Sequence, residues 1–369
     1  MKAARFVLLF VWLSISAFNL PAQTEKKDDD EPIRVDTQLV DVPFVVTDKS
    51  GKPLLNLRQN NFVVYEDGRK QEIAEFAATN APFEVALLLD TSGSTRADLT
   101  LIQRAAAGFI ASLRPGDRVS VVAYRTARVN DQNTARSEVL NALTDDRASL
   151  RNALDAVKTS NGTPYYDSLL DVAEKVFGEK PRDEVRGRRA LVALTDGVDS
   201  VSAAEFDEVR ETLEKAGIVC YFIQVNTRDF FEDNLLGDCQ SAIHFSVAQI
   251  RRYYRVYYPR SNVEKTFNFC ALGDFERLAI SKGLYELADK QMNELAQGSG
   301  GRVFPVADLA EARSAFKSVA DEIGTKYSLG YYSSNEKRDG TYRKIKIELK
   351  NVPPGAEIRA REGYTAPVK

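Results

Sequence analysis

The feature that most constrains the fold is an unbroken apolar run that ends at an acidic residue. The segment from Val85 to Leu89 contains no polar side chain, and Asp90 follows it directly. A strand that is apolar at every position has to be covered on both faces, which is typical of the centre of a parallel sheet. The sequence therefore predicts an α/β fold with its functional crevice at the carboxyl ends of the strands.

The chain beyond Asp90 alternates strand and helix patterns, as a doubly wound, mainly parallel sheet with crossover helices requires. The predicted strands are Arg118 to Tyr124, Ala190 to Leu194, Ile218 to Val225 and, at an edge, Arg302 to Pro305. The predicted helices are Thr100 to Leu113, Ser149 to Val157, Tyr166 to Phe177, a helix from a capping box at Ser202 to near Gly217, Leu287 to Leu295, and Asp308 to Gly324.

Strand signals also flank this α/β region on both sides. Alternating apolar residues run from Ile33 to Phe76, with a hairpin turn signal at Asp67-Gly68. Near the carboxyl end, Tyr327 to Tyr332 and the alternation over 345–349 predict further strands. We therefore predict a small β-sandwich formed from the N- and C-terminal segments.

The first residues resemble a secretory signal. Lys2 and Arg5 precede an apolar run from Phe6 to Ala17, and the small residue Ala22 comes before Gln23; an uncleaved membrane anchor is the alternative. We therefore expect an exported protein, periplasmic or extracellular, with no integral membrane segment in the mature chain. The predicted division is a signal peptide over 1–22, a charged flexible linker over 23–32, a sandwich segment over 33–80, the α/β domain over 81–330 with an insertion at about 226–285, and a β segment over 331–369 that completes the sandwich.

Charge and composition exclude several functions. The chain has 50 basic and 53 acidic residues, so it has no single-sign field and nucleic acid is not expected as a partner. His244 is its only histidine, which leaves little material for a zinc hydrolase or a catalytic triad. The second aspartate that aspartyl phosphotransferases need after Asp90 is replaced by Ser92. We do not expect an enzyme.

Two features of the insertion leave alternatives open. Cys239 and Cys270 lie in a polar, irregular region, where they form either a disulfide or two free thiols, whereas Cys220 lies in an apolar strand pattern. The tyrosine-arginine run from Arg251 to Tyr258 is either a partner-binding surface or an element packed on its own domain.

Three polar motifs are predicted to meet at one edge of the sheet. They are Asp90-Thr-Ser-Gly-Ser94, Asn161-Gly-Thr-Pro164 and Leu194-Thr-Asp-Gly197. Any one of them alone could be a helix-capping turn, and Asp199 and Ser200 are expected to cap the following helix. Together they offer two carboxylates and three hydroxyls, which are hard ligands suited to Mg²⁺, with Mn²⁺ or Ca²⁺ as alternatives. The candidate ligands are Asp90, Ser92, Ser94, Thr163 and Asp196.

The three motifs resemble the metal-ion-dependent adhesion site of von Willebrand factor type A (VWA) domains, and the likeness covers roughly Glu84 to Gly330. It implies that Ser92, Ser94 and Thr163 contact the metal directly, while Asp90 and Asp196 hold it through water. A metal held mainly by neutral oxygens keeps net positive charge, so an Asp or Glu of a partner protein can complete its coordination.

The flanking motifs V-D-V-P-F-V-V-T-D-K-S-G-K-P, F-V-V-Y-E-D-G and R-E-G-Y-T-A-P resemble exported VWA-related proteins common in Acidobacteria. The expected function is metal-dependent, adhesion-type binding of a protein. The alternatives are a structural subunit of an envelope complex stapled by its metal, and a Mg²⁺-dependent hydrolase.

Overall fold

A computed structural model of the chain describes residues 39–79, 81–93, 99–129, 131–185, 187–262 and 264–368. The predicted signal peptide, the predicted linker and the candidate ligand Ser94 lie outside these residues. The predicted fold class is confirmed, because a six-stranded, mainly parallel sheet is accompanied by two four-stranded antiparallel sheets.

The elements follow one another in chain order. The strands are β1 (Leu39–Thr47), β2 (Phe62–Glu66), β3 (Arg69–Gln71), β4 (Ile73–Ala77), β5 (Glu84–Leu89), β6 (Arg118–Val129), β7 (Gln132–Val139), β8 (Arg189–Thr195), β9 (Val219–Val225), β10 (Arg302–Val306), β11 (Tyr327–Tyr332), β12 (Tyr342–Leu349), β13 (Glu357–Ala360) and β14 (Gly363–Thr365). The helices are α1 (Leu99–Ser112), α2 (Arg147–Asp155), α3 (Tyr165–Asp171), α4 (Phe206–Lys215), α5 (Arg228–Asp233), α6 (Val247–Tyr257), α7 (Asp274–Ser299) and α8 (Ala312–Ile323). A π-helical turn, Val172–Val176, extends α3.

The central sheet has the strand order β10-β9-β8-β5-β6-β7. All six residues of β5 are buried, as its apolar run predicts. Its side chains alternate between two cores: Val85 and Leu87 pack in a cluster with α1 and α8, and Ala86 and Leu88 pack in another with α3 and α7. Only β7 is antiparallel to its neighbour. The sequence did not predict β7, because this edge strand is largely polar.

The β-sandwich is formed from both sides of the α/β region, as predicted. Its sheets have the orders β13-β1-β11-β4 and β14-β12-β2-β3. They enclose an aromatic core in which the rings of Phe44 and Phe62 are 4.8 Å apart. All of β11 belongs to this sandwich. The boundary of the α/β domain that the sequence predicted, residue 330, therefore falls inside this strand.

The α/β region leaves and rejoins the sandwich at adjacent points. β4 and β11 pair antiparallel, with Ala77 opposite Ser328. The fully buried Arg188 joins the two chain crossings, because its guanidinium donates hydrogen bonds to the carbonyl oxygens of Ala81 and Lys326, each at 2.7 Å. The α/β region is thus inserted between two paired strands of the sandwich.

Three predicted helix starts are wrong. α8 begins at Ala312, not at Asp308, whose carboxylate accepts hydrogen bonds from the turn before the helix. α4 begins at Phe206, not at Ser202, because the Ser202 hydroxyl accepts a hydrogen bond from the backbone of Asp167 in α3. α7 begins at Asp274, well before the predicted start at Leu287. The buried polar side chains of Arg277 and Ser281 interrupt the apolar periodicity of its first half. Among the described residues, no helix has both the length and the apolar character needed to cross a membrane.

The connection between α7 and β10 allows no side chain at Gly301. A Cβ atom there would lie 1.9 Å from the carbonyl oxygen of Cys220, which is backbone and has little freedom to move. We expect Gly301→Ala to lower the free energy of unfolding by about 3 kcal/mol in urea titrations followed by circular dichroism. The control is Gly298→Ala in α7, where nothing lies within 4 Å and the better helix former should add up to about 1 kcal/mol. Equal stabilities for the two variants would contradict the expected clash.

Candidate functional site

The first part of the candidate site is the turn that follows β5. Asp90 is fully buried, and its carboxylate accepts hydrogen bonds from the backbone N–H of Ser92 at 2.9 Å and from the hydroxyl of Thr195 at 2.7 Å. Because β5 and β8 are parallel neighbours with Leu89 opposite Leu194, the residues that follow each strand meet at the same edge. This register brings the first and third motifs together.

The second motif is attached to the same edge by backbone hydrogen bonds. The N–H of Ser160 donates to the carbonyl oxygen of Thr91 at 2.8 Å. Thr163 and Ser200 are linked twice: the Thr163 N–H donates to the Ser200 hydroxyl at 2.8 Å, and the Ser200 N–H donates to the Thr163 carbonyl at 2.9 Å. These bonds fix the segment before α3 beside the segment after β8.

Four of the five predicted ligands therefore lie at one place. Ser92, Thr163 and Asp196 line a single cavity of about 350 Å³. Asp90 is buried next to it, and its carboxyl has a pKa raised to about 7, first by burial and then by the charge of Asp196. The fifth, Ser94, lies outside the described residues. Their role as metal ligands stays a prediction.

The donors at this edge fit a hard divalent cation. They are carboxylate and hydroxyl oxygens, the types that Mg²⁺, Mn²⁺ and Ca²⁺ take in proteins. Burial disfavours the ionised form of Asp90, and the neighbouring charge of Asp196 disfavours it further. A bound cation would offset both costs, so the residues present suit the predicted metal.

Sequence reasoning missed the groups that support Asp196. The hydroxyl of Thr227 donates to the Asp196 carboxylate at 2.6 Å and lies 2.9 Å from the hydroxyl of Tyr285. Thr227 follows the end of β9, so its place after a neighbouring parallel strand was the signal that could have found it. Nothing in the sequence pattern pointed to Tyr285, which is brought in by α7.

Asp199 and Ser200 were predicted to cap the helix that follows them, and they do not cap it. α4 begins several residues later, and the Asp199 carboxylate instead accepts a hydrogen bond at 2.9 Å from the N–H of Tyr165, the first residue of α3. The guanidinium of Arg252 also lies 2.7 Å from the Asp199 carboxylate, and both side chains are buried. Burial raises the pKa of Asp199, and the charge of Arg252 opposes that rise. This ion pair ties α6 of the predicted insertion to the edge of the sheet.

The predicted insertion has structure of its own. Cys239 and Cys270 form a disulfide, which resolves the alternative left open by the sequence, and Cys220 is a buried free thiol. The tyrosine-arginine run lies mainly in α6, where Arg252 and Tyr253 are buried while Val256, Tyr257 and Tyr258 are exposed, so one face packs on the domain and the other stays available to a partner. Residues 230–285 contribute the second half of the cavity wall, including Phe230, Phe231, Ile243, Phe245 and Leu284.

Comparison with known protein families identifies one segment of the chain. Residues 85–198 match the family described as von Willebrand factor type A domain. The match begins in β5 and ends two residues after Asp196, so it contains all five predicted ligands. No protein with a curated description matches the chain.

Solved structures give distant similarities. The protein BatB from Bacteroides thetaiotaomicron is 15% identical with a TM-score of 0.39, covering 65% of this chain and 98% of that one. A von Willebrand factor type A protein from Catenulispora acidiphila is 12% identical with a TM-score of 0.42, and the alignment covers 90% of this chain and 75% of that one. Proximal thread matrix protein 1 from the mussel byssus is 14% identical with a TM-score of 0.41, covering 74% of this chain and 51% of that one. No functional statement follows from likenesses at this level.

Proposed function

Because the chain carries a von Willebrand factor type A domain, a type of domain that generally mediates protein–protein interactions, we propose that it binds a partner protein at the cavity lined by Ser92, Thr163 and Asp196. The binding depends on a divalent cation, Mg²⁺ in the first place. The observation that carries the proposal is the meeting of four candidate ligands from three separate loops at the carboxyl edge of the sheet, inside the matched segment.

The neighbouring groups prepare these ligands for a cation. The Ser92 N–H and the Thr195 hydroxyl orient the Asp90 carboxylate, and the Thr227 hydroxyl orients that of Asp196. Such outer hydrogen bonds fix the geometry of metal ligands and tune their affinity. When bound, the cation would supply a coordination position for an Asp or Glu side chain of the partner.

Binding rather than catalysis agrees with the chemistry of the cavity. His244 is the only imidazole of the chain, and one of its ring nitrogens is engaged with the carbonyl oxygen of Cys239. His244 lines the cavity together with Ser92 and Ser200, but its Nε2 atom is the nitrogen engaged with Cys239, and its ring stacks on that of Phe269. The Cys239–Cys270 disulfide supports export to an oxidising compartment, either the periplasm or the cell exterior.

The first test is isothermal titration of the protein lacking its predicted signal segment with Mg²⁺ and with Mn²⁺. We expect one saturable site in the wild type and at least a tenfold weaker affinity in Thr163→Ala, because this change removes one candidate hydroxyl ligand of the cation. The matched control is Thr212→Ala in α4, whose hydroxyl bonds the carbonyl of Glu208 in its own helix. If the wild type takes up no cation, or if both threonine variants weaken binding equally, the proposed metal site is wrong.

A second measurement separates a binding module from a scaffold stapled by its metal. In a binding module, EDTA removes partner binding while the protein stays folded at its working temperature. In a scaffold, EDTA lowers the melting temperature to the point where the fold itself is lost, because a ligand that binds only the folded state stabilises it. Thermal unfolding in EDTA and in excess Mg²⁺ gives the answer.

A further inference from the structure

The predicted insertion carries most of the exposed apolar surface of the described residues. Eight of their thirteen large exposed hydrophobic side chains lie within residues 226–285. The other five are Leu55, Val201, Tyr332, Tyr342 and Val368. This concentration of exposed apolar side chains makes the insertion a candidate contact region.

One of these eight side chains, that of Phe230, lines the cavity that holds the candidate ligands. One half of the cavity is polar and contains Ser92, Thr163 and Asp196, and the other half is walled by Phe230, Phe231, Ile243, Phe245 and Leu284. Phe230 is 56% exposed and is absent from the buried core of the insertion, so the packing of the insertion does not require it. Two chemically different surfaces thus share about 350 Å³.

The apolar wall is rigidly connected to the polar half. The ring of Phe231 lies 5.3 Å from that of Phe245 and 6.4 Å from that of Tyr285, whose hydroxyl contacts Thr227 beside Asp196. On its far side Phe245 packs 6.0 Å from Phe269, next to the Cys239–Cys270 disulfide. The wall is therefore formed before any ligand arrives, which lowers the entropy cost of binding.

We propose that the partner presents an Asp or Glu residue flanked by an aromatic or long aliphatic side chain, and that this flanking side chain fills the apolar half of the cavity. The inference rests on the proposed function, which supplies the capture of the carboxylate. Burying a side chain of this size should tighten binding by roughly tenfold or more, which favours such a segment over an acidic segment without it.

The apolar surface around the cavity favours a protein over a small carboxylic acid. The Ser246 hydroxyl donates to the Ser200 carbonyl at 2.6 Å, which holds the start of α6 beside the segment after β8. The exposed side chains of Val201 and Val247 follow these two residues, and Phe230 is exposed in the cavity wall. A small acid would leave this outer surface uncovered, whereas a polypeptide segment would cover it.

The test uses two blocked peptides, acetyl-Gly-Phe-Asp-Phe-Gly-amide and acetyl-Gly-Ser-Asp-Ser-Gly-amide, titrated into the protein in saturating Mg²⁺. We expect the phenylalanine peptide to bind at least tenfold more tightly. Phe230→Ala should reduce that ratio about fivefold and leave the Mg²⁺ affinity unchanged. The matched control is Phe275→Ala, whose ring is 91% exposed on α7 and does not line the cavity; it should change neither value.

Each contrary outcome has a distinct meaning. Equal affinities for the two peptides, or no binding of either while Mg²⁺ still binds, would overturn the inference and leave the cation site standing. A preference that persists in EDTA would also overturn it, because the apolar wall would then act without carboxylate capture. If 3-phenylpropanoate bound as tightly as the phenylalanine peptide, the assignment to a protein segment would be wrong. Failure of Mg²⁺ itself to bind would instead contradict the proposed function.

Discussion

Replacing Asp90 with asparagine is expected to abolish Mg²⁺ binding and, at the same time, to stabilise the metal-free protein. The variant loses a buried carboxylate from the candidate ligand set, and we expect at least a hundredfold loss of Mg²⁺ affinity. It keeps an amide oxygen that can still accept the hydrogen bond from the Ser92 N–H. Without a cation the wild-type carboxylate is a buried charge beside Asp196, so its removal should raise the free energy of unfolding by about 2 kcal/mol at pH 8.

The sign of the pH dependence follows from the raised pKa of Asp90. The folded, metal-free protein holds this proton up to a pKa of about 7, whereas the unfolded chain releases it near the ordinary aspartate pKa of 3.8. Between these values the folded state binds more protons, so its stability falls as pH rises and the cost is complete above pH 7. The advantage of Asp90→Asn in EDTA should therefore be small near pH 4 and largest at pH 8.

Urea unfolding of both proteins in EDTA at pH 4.5 and pH 8 measures this difference. Asp207→Asn is the control, because its side chain is 82% exposed on α4 and should shift neither stability nor Mg²⁺ affinity. An Asp90→Asn protein that binds Mg²⁺ as tightly as the wild type would move the metal site elsewhere. A variant that is less stable than the wild type at pH 8 would contradict the unfavourable burial of this charge.

Replacing Arg188 with methionine is expected to cause the largest loss of stability. The Arg188 side chain is fully buried and donates hydrogen bonds to the carbonyl oxygens of Ala81, Pro82 and Lys326, while its guanidinium lies 4.2 Å from the centre of the Phe83 ring. Methionine fills much of the volume but leaves buried carbonyl groups without a donor. We expect the free energy of unfolding to fall by about 3–5 kcal/mol.

The control for this variant is Arg151→Met, an exposed arginine on α2. Chemical denaturation should place the control within about 0.5 kcal/mol of the wild type. Arg188 lies at the amino end of β8, opposite the candidate ligands, so the folded Arg188→Met protein should bind Mg²⁺ with wild-type affinity at low temperature. A loss of Mg²⁺ affinity with unchanged stability would mean that Arg188 acts on the site and not on the fold.

The sequence predicted those parts of the fold that short-range patterns determine. The buried strand β5 and the polar turns after β5 and β8 were found because apolar runs and the Asp-Thr-Ser-Gly motif are local signals. Strand β7 escaped because an edge strand with an exposed face needs no apolar run. The first half of α7 was not predicted because Arg277 is buried there and donates a hydrogen bond to the carbonyl of Gly237. A prediction from apolar periodicity assigns an arginine to the solvent-exposed face.

The candidate site was predicted in the same uneven way. Asp90, Ser92, Thr163 and Asp196 could be assigned to one edge because parallel strands end together. The place of Thr227 after β9 was a usable signal, but the contact of Tyr285 with Thr227 and the hydrogen bond from Tyr165 to Asp199 depend on how distant segments pack, and no spacing in the chain encodes them. The apolar wall of the cavity could not be predicted either, because its residues come from an irregular region whose fold is determined by tertiary contacts.

The insertion of the α/β region between β4 and β11 has a mechanical consequence. β1 pairs with both β11 and β13, and β14 pairs with β12, so a tension applied to the chain at Leu39 and Thr365 is carried by the sandwich strands. The α/β region is connected to the sandwich through the two chain crossings next to the Ala77–Ser328 pair. It therefore lies to one side of the strands that carry this tension. A force along the sandwich strands would therefore bypass the edge of the central sheet where the candidate ligands lie.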